Sequence, residues 1–302
     1  MLFRSIFVKK AEYLTPVITA FDKNGNIDEN ANKAVYDYLI DRGVDGIVVM
    51  GSTGEFFAMT MEQKKLLIDV AVSHINKRVK CYIGTGCMSA KETIELSNYA
   101  LNRGADAVMI IGPYYFSMGE RQIEAYYDQI APQINGPIFI YNYPGGSGYD
   151  MTPAVTLSLL KKYKNITGYK ETVDNFSHTR SIIEAVKEEF PDFIVYSGFD
   201  ENLVHTMLSG GNGCIGGLSN IAPEVCAAWV KAINDKDLEM IEVFQKKINA
   251  LMAFYAVEQP FLPAMKHAMI LRGLPLDAHC IEFAAVTPNQ VEKVKDILSM
   301  IE

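Results

Sequence analysis

Ile-Thr-Gly-Tyr-Lys-Glu-Thr, residues 166–172, is a short run of strand-forming residues that ends on Lys170. A buried ammonium group without partners is costly to desolvate, so a lysine at the end of a strand is either solvated or has a chemical task. The task that we consider is covalent, because a lysine whose pKa is lowered in a dry pocket can condense with a ketone and hold it as a Schiff base. The rest of the chain decides between these two interpretations.

Seven further strands of this kind occur along the chain, and each is followed by a helical segment. Continuous apolar strands that alternate with helices are typical of a parallel sheet covered on both faces, and eight such units can close into a (β/α)8 barrel, the TIM barrel. We therefore predict this fold. The predicted strands are Leu14–Phe21, Gly46–Met50, Val79–Ile83, Ala107–Ile111, Pro137–Tyr141, Ile166–Lys170, Phe193–Ser197 and Gly213–Ile215.

An open, doubly wound sheet is the alternative architecture, and it would place a glycine-rich nucleotide-binding turn after the first strand. The sequence has no such turn there. The letters of Gly211-x-Gly213-x-x-Gly216 match the dinucleotide pattern, but they come late in the chain and no helix begins cleanly after them. Small residues at the narrow mouth of a barrel explain these glycines better.

The C-terminal part of the chain reads as helix after helix from about Pro223. We predict a barrel over residues 1–222, and over residues 223–302 its last helix and a helical extension packed on the barrel. Two helix starts are predicted from a hydroxyl residue followed three positions later by Gln or Glu, as in a capping box. These are Thr60 with Gln63 and Ser89 with Glu92.

Composition excludes several classes of partner. The 302 residues carry a net charge of −8, and their basic residues are scattered, so a nucleic-acid partner is not expected. The two longest uncharged stretches, Gln129–Tyr149 and Asn202–Pro223, are interrupted by glycine and proline, so no membrane span is expected.

The N-terminal segment, residues 2–8, is too short and too interrupted for a signal peptide. Five cysteines without a Cys-x-x-Cys pair predict reduced, mostly buried thiols in the cytoplasm.

In a barrel of this type, functional residues collect at the C-terminal ends of the strands. The turn Gly51-Ser52-Thr53-Gly54-Glu55 follows the second strand and combines backbone N–H groups with hydroxyl donors, which is what a small carboxylate needs, although an ordinary Ser/Gly turn has the same letters. Tyrosines follow the fourth and fifth strands, and Lys170 ends the sixth. Together these residues predict imine formation on a 2-oxo acid, with a tyrosine that transfers protons.

Other chemistries have little support in the sequence. The five histidines show no metal-ligand spacing, and neither a P-loop nor a Gly-x-Ser-x-Gly elbow is present. We interpret His178, His205 and His279 as surface or helix-cap residues. Asp200-Glu201 is the only adjacent carboxylate pair that stands out, and it resembles a helix N-terminus. No metal site is predicted.

Five short motifs occur in order at the expected barrel positions: Gly-Ser-Thr-Gly-Glu at 51–55, Gly-Thr-Gly at 84–86, Pro-Tyr-Tyr at 113–115, Tyr-Asn-Tyr-Pro at 141–144 and Gly-Tyr-Lys-Glu-Thr at 168–172. The chain thereby resembles the dihydrodipicolinate synthase / N-acetylneuraminate lyase family of pyruvate-dependent class I aldolases over essentially its whole length. The resemblance implies that Lys170 forms the Schiff base and that Tyr141 relays protons, with no metal or organic cofactor. It implies further roles for Gly51, Ser52 and Thr53 (pyruvyl carboxylate, Ser52 also in the relay), Ile215 (a backbone contact to the keto acid) and Tyr115 (reaching a neighbouring subunit's site).

The motifs also bear on the substrate. Dihydrodipicolinate synthases usually have an arginine where this chain has Gly146, and sialic acid lyases usually have an aromatic residue where it has Glu171. The combination Tyr-Asn-Tyr-Pro with Lys-x-Thr resembles the 2-keto-3-deoxy sugar acid aldolases, in which Tyr143 and Thr172 would meet substrate hydroxyls. We therefore expect such an aldolase, with pyruvate as product or donor.

Three alternatives stay open at this point: a synthase that joins pyruvate and aspartate semialdehyde, an N-acetylneuraminate lyase, and a keto-acid sensor on an inactive aldolase scaffold. The intact lysine, tyrosine and hydroxyl set argues against the sensor. Many members of the family are tetramers built as dimers of dimers, so the resemblance also implies a homo-oligomer.

Overall fold

Eight short parallel strands, hydrogen-bonded in chain order, form a closed barrel in this computed structural model, which describes residues 9–301. The predicted (β/α)8 fold with C-terminal helices is thus confirmed. The segment 2–8, interpreted above as too short for a signal peptide, lies outside the described residues. The strands are β1 (Glu12–Pro16), β2 (Gly46–Val49), β3 (Lys80–Gly84), β4 (Ala107–Ile110), β5 (Ile138–Asn142), β6 (Ile166–Glu171), β7 (Ile194–Ser197) and β8 (Gly213–Ile215).

Helices alternate with these strands, and four of the helices follow β8. A one-turn helix directly after β5, in the stretch Pro-Gly-Gly-Ser, was not predicted. Among the described residues the α-helices are α1 (Glu29–Asp41), α2 (Met61–Ile75), α3 (Ala90–Arg103), α4 (Glu120–Ile130), α5 (Pro144–Ser147), α6 (Pro153–Lys162), α7 (Phe176–Lys187), α8 (Leu203–Leu208), α9 (Pro223–Asp235), α10 (Leu238–Leu251), α11 (Leu262–Leu271) and α12 (Pro288–Ser299).

The first strand is displaced from its predicted position, because it ends at Pro16 rather than at Phe21. Beyond Pro16 the backbone still needs hydrogen-bond partners, and asparagine side chains supply two of them. The N–H of Ile18 donates to Asn220 Oδ1 at 3.3 Å, and the N–H of Ala20 donates to Asn32 Oδ1 at 3.1 Å. The apolar run beyond residue 16 is therefore a buried loop.

Of the two predicted capping boxes, one is confirmed. Thr60 and Gln63 exchange both hydrogen bonds at the start of α2. At the start of α3 the prediction was wrong, since the side chain of Ser89 makes no capping hydrogen bond. Here the preceding loop is held instead by Thr93, whose hydroxyl accepts a hydrogen bond of 3.0 Å from the Cys87 N–H.

The chain divides into two compact units. One comprises the described residues up to Glu12 together with Tyr82–Ile215, and the other comprises Tyr13–Cys81 together with the described residues from Gly216 onward. In the first unit, β4 and β5 are buried along their whole length, as expected for strands covered on both faces. A division of the chain at 222/223 stays a prediction.

None of the five cysteines forms a disulfide, and all five are buried, as predicted. Within residues 9–301, none of the helices combines the length and the apolar character that crossing a bilayer requires.

Candidate active site

Lys170 and Tyr141 lie side by side on neighbouring strands of the first unit. The two residues are paired in the register of β5 and β6, so both side chains project from the same face of the sheet. The amine of Lys170 lies 4.4 Å from the centre of the Tyr141 ring, and the lysine is only 5% exposed. The structure thus brings the predicted lysine and the predicted proton carrier together in a buried position.

The residues two positions earlier on the same strands, Phe139 and Gly168, lie on the same face and are both buried. A Cβ atom on Gly168 would come within 2.1 Å of the Phe139 ring, so only glycine leaves room for this ring. The Phe139 ring in turn stacks on Tyr196 with 6.0 Å between ring centres. Lys170 is paired with Tyr196 across β6 and β7. Aromatic side chains therefore surround the strand positions next to the lysine.

The ring of Tyr143 stacks almost parallel to that of Tyr141, with 6.1 Å between centres and 5° between planes. Its place depends on α5, because a Cβ atom on Gly146 would lie 2.6 Å from the Tyr143 ring and one on Gly145 would lie 3.2 Å away. Tyr143 is half-buried, and this burial, followed by the proximity of Tyr141, raises the pKa of its phenol. Gly145 and Gly146, which we call the Tyr143 seat, thus leave the space that this second phenol occupies beside Tyr141.

Thr172 follows β6 and packs against the backbone of Gly198, where an added Cβ atom would lie 1.9 Å from the Thr172 hydroxyl oxygen. This oxygen is hidden from solvent and has no hydrogen-bond partner among the described residues. The predicted contact of Thr172 with a substrate hydroxyl stays a prediction, and such a contact would give this buried hydroxyl a hydrogen bond.

Four polar side chains that sequence reasoning did not connect form a cluster beside these residues. We call Asn142, Asp150, Glu171 and His178 the polar ring. The Asn142 amide donates to Asp150 Oδ1 at 2.7 Å and to Glu171 Oε1 at 2.8 Å, while His178 Nδ1 lies 2.6 Å from Glu171 Oε2 and Nε2 lies 2.9 Å from Asp150 Oδ2. His178, interpreted from the sequence as a surface or helix-cap residue, is half-buried in the first turn of α7, and two carboxylates hold its ring.

The two carboxylates determine the charge of the polar ring. Contacts with Asp150 and Glu171 raise the pKa of His178 to about 10, so this residue is an imidazolium at neutral pH. Burial raises the pKa of Glu171. Burial acts in the same direction on Asp150, but the contact with His178 and the hydrogen bond from Asn142 outweigh it and lower the pKa of this carboxyl.

In the second unit, the predicted carboxylate turn Gly51–Glu55 is a short 3-10 turn. The N–H of Gly54 donates to the Gly51 carbonyl at 2.9 Å, and the hydroxyl of Thr19 donates to the Gly54 carbonyl at 2.7 Å. Glu55 has a φ of 55°, which is uncommon for a residue with a side chain. Ser52 is half-buried and Thr53 is 6% exposed.

A second buried lysine, which sequence reasoning missed, supports this turn from within the same unit. Lys266 on α11 has no exposed side-chain surface, and its amine lies 2.6 Å from Glu55 Oε1 and 2.6 Å from the His279 carbonyl oxygen. The other oxygen of Glu55 accepts a hydrogen bond of 2.9 Å from the N–H of Ile281. The signal was available, since Lys266 interrupts the apolar run Leu-Pro-Ala-Met-Lys-His-Ala-Met of α11.

Two predicted residues of the first unit lie apart from this description. Tyr115 is 78% exposed, and its ring packs edge to face on that of Phe116 with 4.9 Å between ring centres. Ile215 is the last residue of β8 and is fully buried. Their predicted roles, a contact with a neighbouring subunit and a backbone contact to the keto acid, stay predictions.

Known proteins resemble this chain over most of its length. Residues 9–301 match the model of the dihydrodipicolinate synthetase family. The chain is 37% identical over 268 residues to the putative 2-dehydro-3-deoxy-D-gluconate aldolase YagE of Escherichia coli K12, covering 89% of each chain. It is equally similar, 37% over 268 residues and 89% of each chain, to the probable 2-dehydro-3-deoxy-D-pentonate aldolase YjhH of the same organism. The crystal structure of YagE in complex with pyruvate superposes with a TM-score of 0.93 at 34% identity, covering 96% of this chain and 98% of that one.

Proposed function

Since the chain belongs to the dihydrodipicolinate synthetase family of lyases and aldolases, we propose that it is a pyruvate-dependent class I aldolase acting on a 2-keto-3-deoxy sugar acid. The observation that carries the proposal is the buried amine of Lys170, 4.4 Å from the centre of the Tyr141 ring. A lysine held out of water beside a phenol has the two groups that imine formation and proton transfer need.

In the proposed reaction, the unprotonated amine of Lys170 attacks the C2 carbonyl of the keto acid, and the resulting hydroxyl leaves as water with the phenol proton of Tyr141, so that a protonated imine and a phenolate remain. The Tyr141 phenolate takes the proton of the C4 hydroxyl, the C3–C4 bond breaks, and its electron pair moves towards the imine nitrogen. An aldehyde and an enamine result. Tyr141 then gives this proton to C3 of the enamine, and a water molecule hydrolyses the protonated imine and returns a proton to the phenolate, which releases pyruvate and restores the free amine. The imine forms on the enzyme's own lysine, so we propose no cofactor.

The substrate class rests on the environment of Tyr141. The Tyr143 ring occupies the space that a side chain at Gly146 would need, so a phenol takes the place of the arginine that dihydrodipicolinate synthases usually have at this position. A phenol suits the hydroxyl groups of a sugar acid, whereas the second substrate of a synthase carries a carboxylate that an arginine would bind as a fork. The names of the relatives YagE and YjhH, both aldolases of 2-dehydro-3-deoxy sugar acids, support the same choice.

The proposal also covers the binding of the pyruvyl carboxylate, the assembly of the protein and its location. Ser52 and Thr53, with the backbone of Gly51, would bind the pyruvyl carboxylate, because their turn combines hydroxyl and N–H donors.

A homotetramer is supported by the exposed aromatic pair Tyr115 and Phe116, since exposed aromatic side chains are typical of interfaces. A cytoplasmic location is supported by the five buried cysteines, none of which forms a disulfide. Sedimentation of the wild type and of a Tyr115→Ser variant would test the assembly.

The function is tested by incubating the protein with pyruvate, reducing with borohydride and mapping the adduct by mass spectrometry. We expect a mass gain on Lys170, and its absence would overturn the proposal. A panel of 2-keto-3-deoxy acids, with release of pyruvate measured, then identifies the substrate. Fast turnover with aspartate semialdehyde in a reductase-coupled assay would favour the synthase, and tight binding without turnover on any keto acid would favour a sensor.

A further inference from the structure

Every side-chain nitrogen and oxygen atom of the polar ring has a partner within the protein. The Asn142 amide nitrogen contacts both carboxylates, and its oxygen accepts a hydrogen bond of 3.1 Å from the Met151 N–H. His178 Nδ1 bonds to Glu171, and Nε2 forms an ion pair with Asp150 whose alignment falls short of a hydrogen bond. All eight of these atoms thus have partners within 3.1 Å, so the contacts within the protein hold the four side chains in place.

The position of the polar ring in the chain connects it to the candidate catalytic pair. Asn142 follows Tyr141 on β5, and Glu171 follows Lys170 on β6. Across the two strands, Tyr141 is paired with Lys170 and Asn142 with Glu171. Successive side chains on a strand point to opposite faces, so the ring lies on the face opposite to Lys170 and Tyr141.

The register between β5 and β6 shifts between Ile138 and Phe139. The pairing at the start of the strands therefore does not fix the pairing at their C-terminal ends. At the other end the ladder closes with a hydrogen bond of 2.9 Å from the Thr172 N–H to the Asn142 carbonyl. The side-chain bond from Asn142 to Glu171 lies at this end, and His178 ties Glu171 to the start of α7. The last residues of both strands are therefore held locally.

We propose that the polar ring is a positioning device for the reaction, in which Glu171 and His178 hold the ends of β5 and β6 so that the Lys170 amine stays against the Tyr141 ring. This inference rests on the proposed function of Lys170. Neither residue touches the reacting atoms in this scheme, so both are positioning residues. A reacting group that is misplaced by about 1 Å loses on the order of 100-fold in rate, which gives the ring a measurable effect.

The test uses Glu171→Gln and His178→Gln, which keep hydrogen-bonding side chains of similar size but remove a charge from the ring. For each variant, prolonged trapping with pyruvate and borohydride counts the sites that can form the imine. The trapping rate and kcat are then expressed per competent site, which separates misplacement from loss of folded protein. We expect kcat per competent site to fall about 10- to 100-fold, with a smaller change in KM.

The matched control is His74→Gln, which removes a histidine–carboxylate contact of the same 2.9 Å length, to Asp37, in the second unit. It should leave the rate per competent site at the wild-type value. If the ring variants also keep that value and lose only competent sites, the ring is merely structural and the inference is overturned. If wild-type protein itself traps no pyruvate on Lys170, the proposed function fails instead, so the two failures are distinguishable.

Discussion

The amine of Lys266 and the carboxylate of Glu55 form an ion pair of 2.6 Å in which neither side chain has any exposed surface. Glu55 ends the turn Gly51–Glu55 and adopts a φ of 55°, so the pair holds this turn at a residue with an uncommon backbone conformation. The Lys266 amine also lies 4.6 Å from the centre of the Phe21 ring. A charge buried so completely is tolerated only with its partner in place.

Replacing Lys266 alone should therefore destabilise the protein strongly. In Lys266→Met the carboxylate of Glu55 stays buried without a counter-charge, and the free energy of unfolding should fall by about 3–5 kcal/mol. Urea unfolding measures this change. The double variant Lys266→Met/Glu55→Gln leaves no buried charge and should recover much of the loss. Lys231→Met, which breaks an exposed pair with Asp235, should stay close to wild type. Equal stability of the single and double variants would contradict this account.

Removing the phenol of Tyr141 should separate proton transfer from folding. In Tyr141→Phe the ring still packs against the Lys170 amine, but the proton of the C4 hydroxyl has no acceptor. We expect kcat to fall about 100- to 10,000-fold on a 2-keto-3-deoxy sugar acid, with little change in thermal stability. Tyr163→Phe, which removes an exposed phenol bonded to Asp128, is the control. A Tyr141→Phe variant with near-wild-type kcat would exclude Tyr141 as the proton carrier.

The seat of Tyr143 can be tested through Gly146. A methyl group at this position would lie 2.6 Å from the Tyr143 ring, so Gly146→Ala should displace the ring from its stack on Tyr141. We expect kcat/KM for the sugar acid to fall roughly 10- to 200-fold, the range for one lost contact in a binding pocket. Trapping of pyruvate on Lys170 should persist, because pyruvate lacks the hydroxyls that Tyr143 would meet.

Gly119→Ala is the matched control for this experiment. Gly119 has no atom within 4 Å of an added Cβ and an ordinary φ of −79°, so its kcat/KM should equal that of the wild type. If Gly146→Ala behaves like Gly119→Ala, the Tyr143 seat does not select the substrate.

The charge of His178 predicts how stability depends on pH. Its pKa is raised from an ordinary value of 6.5 to about 10, chiefly by Asp150 and Glu171. A raised histidine pKa stabilises the folded state fully below the unfolded pKa, and this contribution is lost as pH rises through the folded pKa. The stability difference between wild type and His178→Gln should therefore shrink between about pH 6.5 and about pH 10.

Urea unfolding of both proteins at several values of pH measures this difference. The lowered pKa of Asp150 acts at the other end of the scale, since its contribution is present above the unfolded pKa of 3.8 and is lost in acid. A difference that stays constant from pH 6 to pH 10 would show that His178 is not held as an imidazolium.

Local patterns predicted most of the architecture. Strand-forming runs separated by amphipathic stretches are visible within short windows, so the count of strands and the barrel class followed from them. The same is true of Thr60, whose capping partner is three residues away. Ser89 has the same spacing to Glu92 but no capping bond, because Thr93 ties the preceding loop to the helix instead. The spacing of a capping box does not show whether Ser89 or a nearby hydroxyl such as that of Thr93 will bond to the backbone.

The sequence by itself determined the alternation of strands and helices, the lysine at the end of the sixth strand and the family that this pattern resembles. These features depend on neighbours in the chain. Only the tertiary structure decided that Glu171, Asp150 and Asn142 surround His178 and that Lys266 pairs with Glu55, since each contact joins residues from separate elements. The physical reason is that a buried charge needs a partner of opposite charge. Which residue supplies that partner cannot be read from the sequence, because the two residues come together only when the chain folds.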